Sequence, residues 1–273
     1  MFKKIFENVK EVGPLIHNIT NYVTVNDCAN ILLACGASPI MADDSDEVCE
    51  ITSICGGLNI NIGTLNKNTI PSMLLAGKKA NELGHPVLLD PVGAGASKLR
   101  TETALRLLDE VKFTAIRGNI SEIKTLAFGS GNTVGVDANM ADKVTEHNIG
   151  DVVKFAKEFA RKTEAIIAIT GEIDIVANSE KAFVIRNGAK MMSRVTGTGC
   201  QLSAVATAFL VANPNAHLEA VAAAVCAMGF CGEIASANMT REDGNFAYRG
   251  HIIDALFNLT GRELESGAKY EIK

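Results

Sequence analysis

The chain has 273 residues and a formal net charge of −5, from 31 acidic and 26 basic residues, and basic residues run no longer than pairs such as Lys3-Lys4, so no nucleic-acid footprint is present. The hydrophobic fraction is 47%, with no tryptophan and 3 tyrosines, the composition of a compact α/β core built on small aliphatic side chains. Its longest uncharged apolar run, residues 220–232, is shorter than the roughly 20 residues of a bilayer span, and a cytoplasmic protein without a membrane partner is expected.

At the N-terminus Glu7 and Glu11 follow the two lysines before any apolar run of signal-peptide length. The polar, β-branched segment His17-Asn18-Ile19-Thr20-Asn21-Tyr22-Val23-Thr24 leads into a helix over residues 25–35, with Ala29, Leu32 and Leu33 at helical spacing and Gly36 as its stop. Ser38-Pro39-Ile40-Met41 reads as a short strand. The acidic loop Asp43-Asp44-Ser45-Asp46-Glu47 behind it suits the solvated, capped start of a helix better than a metal cluster. Residues 58–63 alternate as a strand does, and a helix over 69–83 ends at Gly84. Pro86-Val87-Leu88-Leu89-Asp90-Pro91 is the continuous apolar run of a strand buried on both faces, with Asp90 at its C-terminal end.

The alternation continues with a helix over 101–110, a strand over 113–117 and a helix opening at Asn119. An amphipathic helix presenting Ile149, Val152, Val153, Ala156, Phe159 and Ala160 precedes the strand at Ala165-Ile166-Ile167-Ala168-Ile169. Residues 173–176 and 182–186 form a hairpin. Helices over 202–212, 218–237 and 248–260 follow, and the charged tail 262–273 is expected to fray. With no linker or repeat, residues 1–273 read as a single three-layer α/β/α domain with a mostly parallel central sheet. In such folds ligands collect beyond the C-terminal ends of the strands. Met41, Asp90, Arg117-Gly118-Asn119 and Thr170-Gly171 all close a strand there.

Val195-Thr196-Gly197-Thr198-Gly199-Cys200 then supplies an anion cradle. Its glycines let the backbone aim amides at one point, and the following helix adds its unpaired N–H groups. Cys200 at the lip is placed where a helix N-terminus favours the thiolate and lowers the thiol pKa. The 7 cysteines lack a C-x-x-C pair and the 5 histidines lack H-x-x-x-H, so neither disulfides nor a zinc site is indicated. Familiar nucleotide signatures fail: Ser72 and Lys79 stand where a Walker A loop needs Gly and Ser or Thr, and Lys98 replaces the third glycine of a dinucleotide fingerprint.

Asp90 and Glu122 are candidate ligands for a hydrated Mg²⁺, which takes one or two carboxylates and fills its other positions with water and phosphate. Structural roles stay open for both: Asn119-Ile120-Ser121-Glu122 has the spacing of a capping box, and Asp90 before Pro91 can cap or turn. Arg117, ending an apolar strand, needs an anionic partner, and phosphate is a natural one.

Four motifs, His17-Asn18-Ile19-Thr20-Asn21, Asp90-Pro91-Val92-Gly93-Ala94-Gly95, Arg117-Gly118-Asn119-Ile120-Ser121-Glu122 and Thr196-Gly197-Thr198-Gly199-Cys200, span most of the chain in one order. Together they resemble the hydroxyethylthiazole kinases of the ribokinase-like superfamily. The resemblance implies ATP-dependent phosphorylation of 4-methyl-5-(2-hydroxyethyl)thiazole with Mg²⁺, in a homotrimer whose active sites lie at subunit boundaries. It further implies that Met41, Gly197, Asn21 and Val23 contact the thiazole, that Arg117 and Thr170 bind ATP, and that Asp90 and Glu122 form the acidic metal and phosphate region. Sugar and pyridoxal kinases of the superfamily usually carry Asp where Cys200 stands.

Phosphoryl transfer depends on alignment and charge stabilisation, so the amides of Gly197, Thr198 and Gly199 are expected to act on the transferring group, each well-placed donor supplying roughly 3 kcal/mol. Cys200 is the candidate base, helpful rather than indispensable. Competing readings are a kinase for a pyrimidine or pyridoxal alcohol, a thiol enzyme with Cys200 as nucleophile, and a nucleotide sensor without turnover.

Overall fold

The computed structural model describes residues 1–129 and 143–273. Its strands are β1 (Leu15–Ile19), β2 (Ser38–Met41), β3 (Gly57–Asn61), β4 (Val87–Asp90), β5 (Ala115–Gly118), β6 (Ile166–Ile169), β7 (Asp174–Ala177), β8 (Ala182–Ile185) and β9 (Tyr270–Ile272). The helices are α1 (Phe2–Val12), α2 (Val25–Cys35), α3 (Val48–Ile54), α4 (Thr69–Leu83), α5 (Lys98–Glu110), α6 (Ile120–Phe128), α7 (Ile149–Thr163), α8 (Thr198–Ala212), α9 (His217–Ala237), α10 (Asn245–Asn258) and α11 (Gly261–Gly267). All nine strands join one sheet in the order β2-β1-β3-β4-β5-β6-β7-β8-β9.

From β2 through β6 the strands are parallel, and β7, β8 and β9 close the sheet antiparallel. One apolar cluster lies under α1, α2, α8, α9 and α10, the other under α4, α5, α6 and α7, which gives the expected three layers. Strand β1 has β2 on one side and β3 on the other, so the chain reverses its direction of travel across the sheet there. That reversal opens a crevice at the C-terminal ends of β1 and β3, the place where such folds bind ligands.

Helix α9 is long and apolar enough to cross a membrane by length and composition, yet 72% of that stretch is buried inside the protein. It packs between α8 and α10 and against the sheet. A helix hydrophobic all round is the form such a position requires.

Three regions depart from the sequence expectations. Residues 1–12, assigned no element above, form α1, which buries Phe2, Ile5, Phe6 and Val9 along one stripe. Each such large apolar side chain contributes about 1.5–3 kcal/mol on burial. The tail expected to fray is built in: Thr260 and Glu263 make a capping box for α11, β9 pairs with β8, and Glu265 accepts from the terminal amine of Met1 at 2.8 Å. The aspartates of the acidic loop do not cap α3; Glu47 stands at its N-cap without a side-chain bond, while Asp44 Oδ1 accepts from the Asp46 amide and closes a turn. A short 3-10 helix over Lys190–Arg194 is also unassigned above, and the remaining shifts are at element ends, such as α5 beginning at Lys98 behind its Ser97 cap.

Candidate active site

A sheet covered on both faces is expected to carry continuous apolar strands. Asn18, Asn59, Asn61 and Asp90 break that rule, each buried with at most 2% exposure. The two at the strand ends, Asn61 and Asp90, together with Asn21 just past β1, meet the N-terminus of α8.

Gly197 is the N-cap of α8, at φ 90°, and the helix has no side-chain cap. The first amide to find an intrahelical acceptor is that of Gln201, on the Gly197 carbonyl. The amides of Thr198, Gly199 and Cys200 therefore face out of the helix end as donors for an anion. Packing as well as backbone conformation requires glycine here. A Cβ at Gly197 would stand 2.6 Å from Thr24 Cγ2, and one at Gly199 would stand 2.5 Å from Arg117 Nη1.

The guanidinium of Arg117 thus lies across the first turn of α8. Its Nη2 donates to Thr170 Oγ1 at 2.6 Å and its Nη1 to Asp90 Oδ1 at 3.5 Å. Asp90 is fully buried, and Oδ2 accepts from Asn61 Nδ2 and from Ser203 Oγ, both at 2.8 Å. Burial pushes the Asp90 carboxyl above its ordinary range, against the opposing charge of Arg117. Burial also raises the Asp174 carboxyl to about 7, although it accepts the Gly171 amide at 2.8 Å and feels Arg117.

Cys200 Sγ accepts from Asn21 Nδ2 at 3.2 Å and from Asn61 Nδ2 at 3.3 Å. Its pKa moves opposite to the expectation from the helix N-terminus. Burial raises the thiol, and the neighbouring Asp90 carboxylate adds to the rise, outweighing the hydrogen bonds and Arg117, which lower it. The helix-end field is a local effect of modest size, whereas desolvation penalises the thiolate across its whole surface. Among the described residues no histidine is bonded to Cys200, whose sulfur is held by two carboxamides, an environment without an orienting base for a covalent nucleophile.

Glu122 completes the capping box that its spacing suggested: Asn119 Oδ1 accepts from the Glu122 amide and Glu122 Oε2 from the Asn119 amide, both at 2.8 Å. Its second oxygen accepts from the Gly93 amide at 2.8 Å, tying the glycine turn after β4 to α6. Each oxygen keeps a second lone pair, so capping does not preclude metal binding. Among the described residues no group of three or more His, Cys, Asp or Glu side chains is arranged for a metal. A two-carboxylate set of hard oxygens fits Mg²⁺, with water and phosphate supplying the remaining ligands.

Met41 ends β2 in register with Asn18 of β1, half-buried at the same end of the sheet. Val23 follows Asn21 by two residues and is 58% exposed, next to Tyr22 at 77%, so both side chains are open to solvent. Asn61, Ser203 and Thr24 were absent from the sequence assignment. A signal for Asn61 existed, since a carboxamide in a strand that must be covered on both faces has to be hydrogen-bonded.

A mostly parallel sheet between helical layers, with an uncapped glycine-led helix aimed at the strand ends, defines a three-layer α/β/α fold with an anion site at its strand ends. A pyridoxal kinase from Staphylococcus aureus shares this fold alone, with a TM-score of 0.60 at 15% identity over 95% of this chain and 97% of that one. The Hydroxyethylthiazole kinase family model matches residues 6–262. The chain is 65% identical over 271 residues to a hydroxyethylthiazole kinase from Clostridium acetobutylicum, covering 99% of both chains. It is 48% identical over 262 residues to one from Clostridium tetani, covering 95% of this chain and 94% of that one. The structure of a hydroxyethylthiazole kinase protein from Pyrococcus horikoshii OT3 superposes with a TM-score of 0.88 at 33% identity, over 100% of this chain and 98% of that one. The chain belongs to the hydroxyethylthiazole kinase family.

Proposed function

We propose that the chain transfers the γ-phosphoryl group of ATP to the hydroxyl of 4-methyl-5-(2-hydroxyethyl)thiazole in thiamine salvage, working in the cytoplasm. The observation that carries this reading is the convergence of the uncapped α8 N-terminus, the Arg117 guanidinium over Gly199 and the Asn21–Cys200 pair at the crevice between β1 and β3. An anion site and a thiol that accepts a proton once ionised stand side by side, an arrangement suited to transfer to an alcohol.

In this reading the Thr198, Gly199 and Cys200 amides and Arg117 hold the phosphates and align the γ-phosphoryl group with the alcohol. Thr170 keeps the guanidinium oriented toward the nucleotide. Met41, Asn21 and Gly197 border the thiazole. The alcohol oxygen bonds to the γ-phosphorus as the bond to the ADP oxygen breaks and ADP leaves; the alcohol proton goes to Cys200 Sγ where that sulfur is a thiolate and otherwise to solvent. Because burial disfavours the thiolate, alignment and the anion site carry more of the rate than the base does. Glu122 and Asp90 would hold Mg²⁺, which supplies neutralising charge to the phosphate oxygens when bound.

Exposed Tyr22 and Val23, beside Asn21, support a homotrimer in which this segment meets a neighbouring subunit and the sites lie at the boundaries. Sedimentation would report the mass. The test of the reaction is a coupled ADP-release assay with the thiazole alcohol, ATP and Mg²⁺, run beside pyridoxal as acceptor. Turnover with the thiazole alcohol is expected; turnover with pyridoxal alone would reassign the substrate.

A further inference from the structure

We infer that Asn61 is a positioning residue of this site, holding the Cys200 sulfur and the Asp90 carboxylate in fixed relation at the crevice between β1 and β3. The inference rests on the kinase reading above and assigns the position of its acceptor atom to a residue outside the motifs that mark the family resemblance.

Asn61 is 1% exposed, and its carboxamide is saturated. Its Nδ2 gives one hydrogen to Asp90 Oδ2 at 2.8 Å and the other to Cys200 Sγ at 3.3 Å. Its Oδ1 accepts from Asn21 Nδ2 at 3.0 Å and from the Gly63 amide at 2.9 Å. Two donors and two lone pairs are all that a carboxamide has. Only one orientation satisfies them: a flipped amide would set oxygen against Asp90 and nitrogen against the donors of Asn21 and Gly63.

The backbone adds a second constraint, because Asn61 and Asp90 are register partners of β3 and β4. Asn21 repeats the pattern from the far side of the crevice, giving one hydrogen to Cys200 and one to Asn61, while its Oδ1 accepts from the Thr24 amide at 3.1 Å and Oγ1 at 3.0 Å. Burial alone does not demand such saturation. Asn59, two residues earlier on β3, leaves its buried Oδ1 without a partner. Asn21 and Asn61 are both fully bonded, and of the two Asn61 is the one that touches Cys200 and Asp90 together.

A double-mutant cycle separates positioning from a merely structural role. Asn61→Leu keeps the shape and removes the four side-chain hydrogen bonds, and Asn61→Ser provides a smaller variant should the first not fold. Either change is expected to lower kcat for the thiazole alcohol by about tenfold or more, the scale of a misplaced reacting group. The KM for ATP should stay near the wild-type value. In a Cys200→Ala background the same change should cost clearly less than in the wild type, because only the Asp90 carboxylate is then left to be misplaced. Equal losses in both backgrounds would overturn the inference. A second readout is the rate of Cys200 alkylation by iodoacetamide, followed by peptide mass spectrometry, with the part-exposed Cys49 as internal reference. Asn61→Leu or Asn61→Ser should change the Cys200 rate selectively; an unchanged rate overturns the inference even where the wild type turns over the alcohol. Lack of turnover by the wild type overturns the kinase reading instead, and is thereby distinguished.

Discussion

Arg117 lies against Gly199 so closely that a methyl group on the glycine would stand 2.5 Å from Nη1 and 2.6 Å from Nη2. A strand-end cation and a helix-end set of amides are thereby focused on one volume. Gly199→Ala must push the guanidinium aside. We expect the KM for ATP to rise by roughly tenfold, consistent with the loss of a well-placed phosphate contact, while the KM for the alcohol changes little. Steady-state kinetics with each substrate varied in turn would check this, and a selective effect on the alcohol would count against it.

Arg117→Ala removes the cation itself. ATP binding is expected to weaken more than in Gly199→Ala, and Arg117→Lys should recover only part of it, because an ammonium cannot reproduce the planar guanidinium fork. Calorimetric titration with a nonhydrolysable ATP analogue measures the loss. An unchanged affinity would remove Arg117 from the site.

Cys200→Asp places a carboxylate beside the buried Asp90, where like charge raises the pKa of the pair toward the working range of a general base. It should retain or raise kcat in the ADP-release assay. A variant that folds and binds ATP yet does not turn over would defeat this account.

Glu122→Gln separates the two roles of that residue. The helix cap and the Gly93 tie each lose a charged acceptor, at a cost of about 1 kcal/mol seen in thermal melts without metal. If Glu122 also holds the ion, the Mg²⁺ concentration for half-maximal activity rises several-fold. A lowered melting temperature with unaltered Mg²⁺ dependence would leave capping as its whole role.

Asp174 gives a pH prediction whose sign follows from its raised carboxyl, about 7 when folded. Its contribution to stability is fully present below the unfolded carboxyl pKa and is lost as pH rises through about 7, since the unfolded chain gives up that proton earlier. Asp174→Asn keeps an oxygen for the Gly171 amide and removes the titration. The variant should gain on the wild type between pH 5 and pH 8, by roughly 1 to 4 kcal/mol given 1.36 kcal/mol per pKa unit. Denaturant melts at both pH values provide the comparison, and parallel curves would argue against a buried, protonated Asp174.

The sequence by itself determined the alternation of strands and helices, the covered sheet and the strand-end positions of Asp90, Arg117 and Thr170, because period, turn residues and apolar runs are local signals. It determined the cradle too, since a glycine-led helix start is written in consecutive residues. The missed α1 was legible in the spacing of Phe2, Ile5, Phe6 and Val9. Tertiary structure alone decided the rest. Thr260 and Glu263 announced a capping box, but β9 exists only because β8 offers an edge to pair with. Asn21, Asn61 and Asp90 come from three different strand ends, and their bonds to one another and to Cys200 and Ser203 depend on sheet order. For Cys200 the helix end was a local fact that favoured the thiolate, and the burial that opposes it arises only when distant elements close over the sulfur. Desolvation is the sum of everything packed nearby, and no stretch of sequence contains that sum.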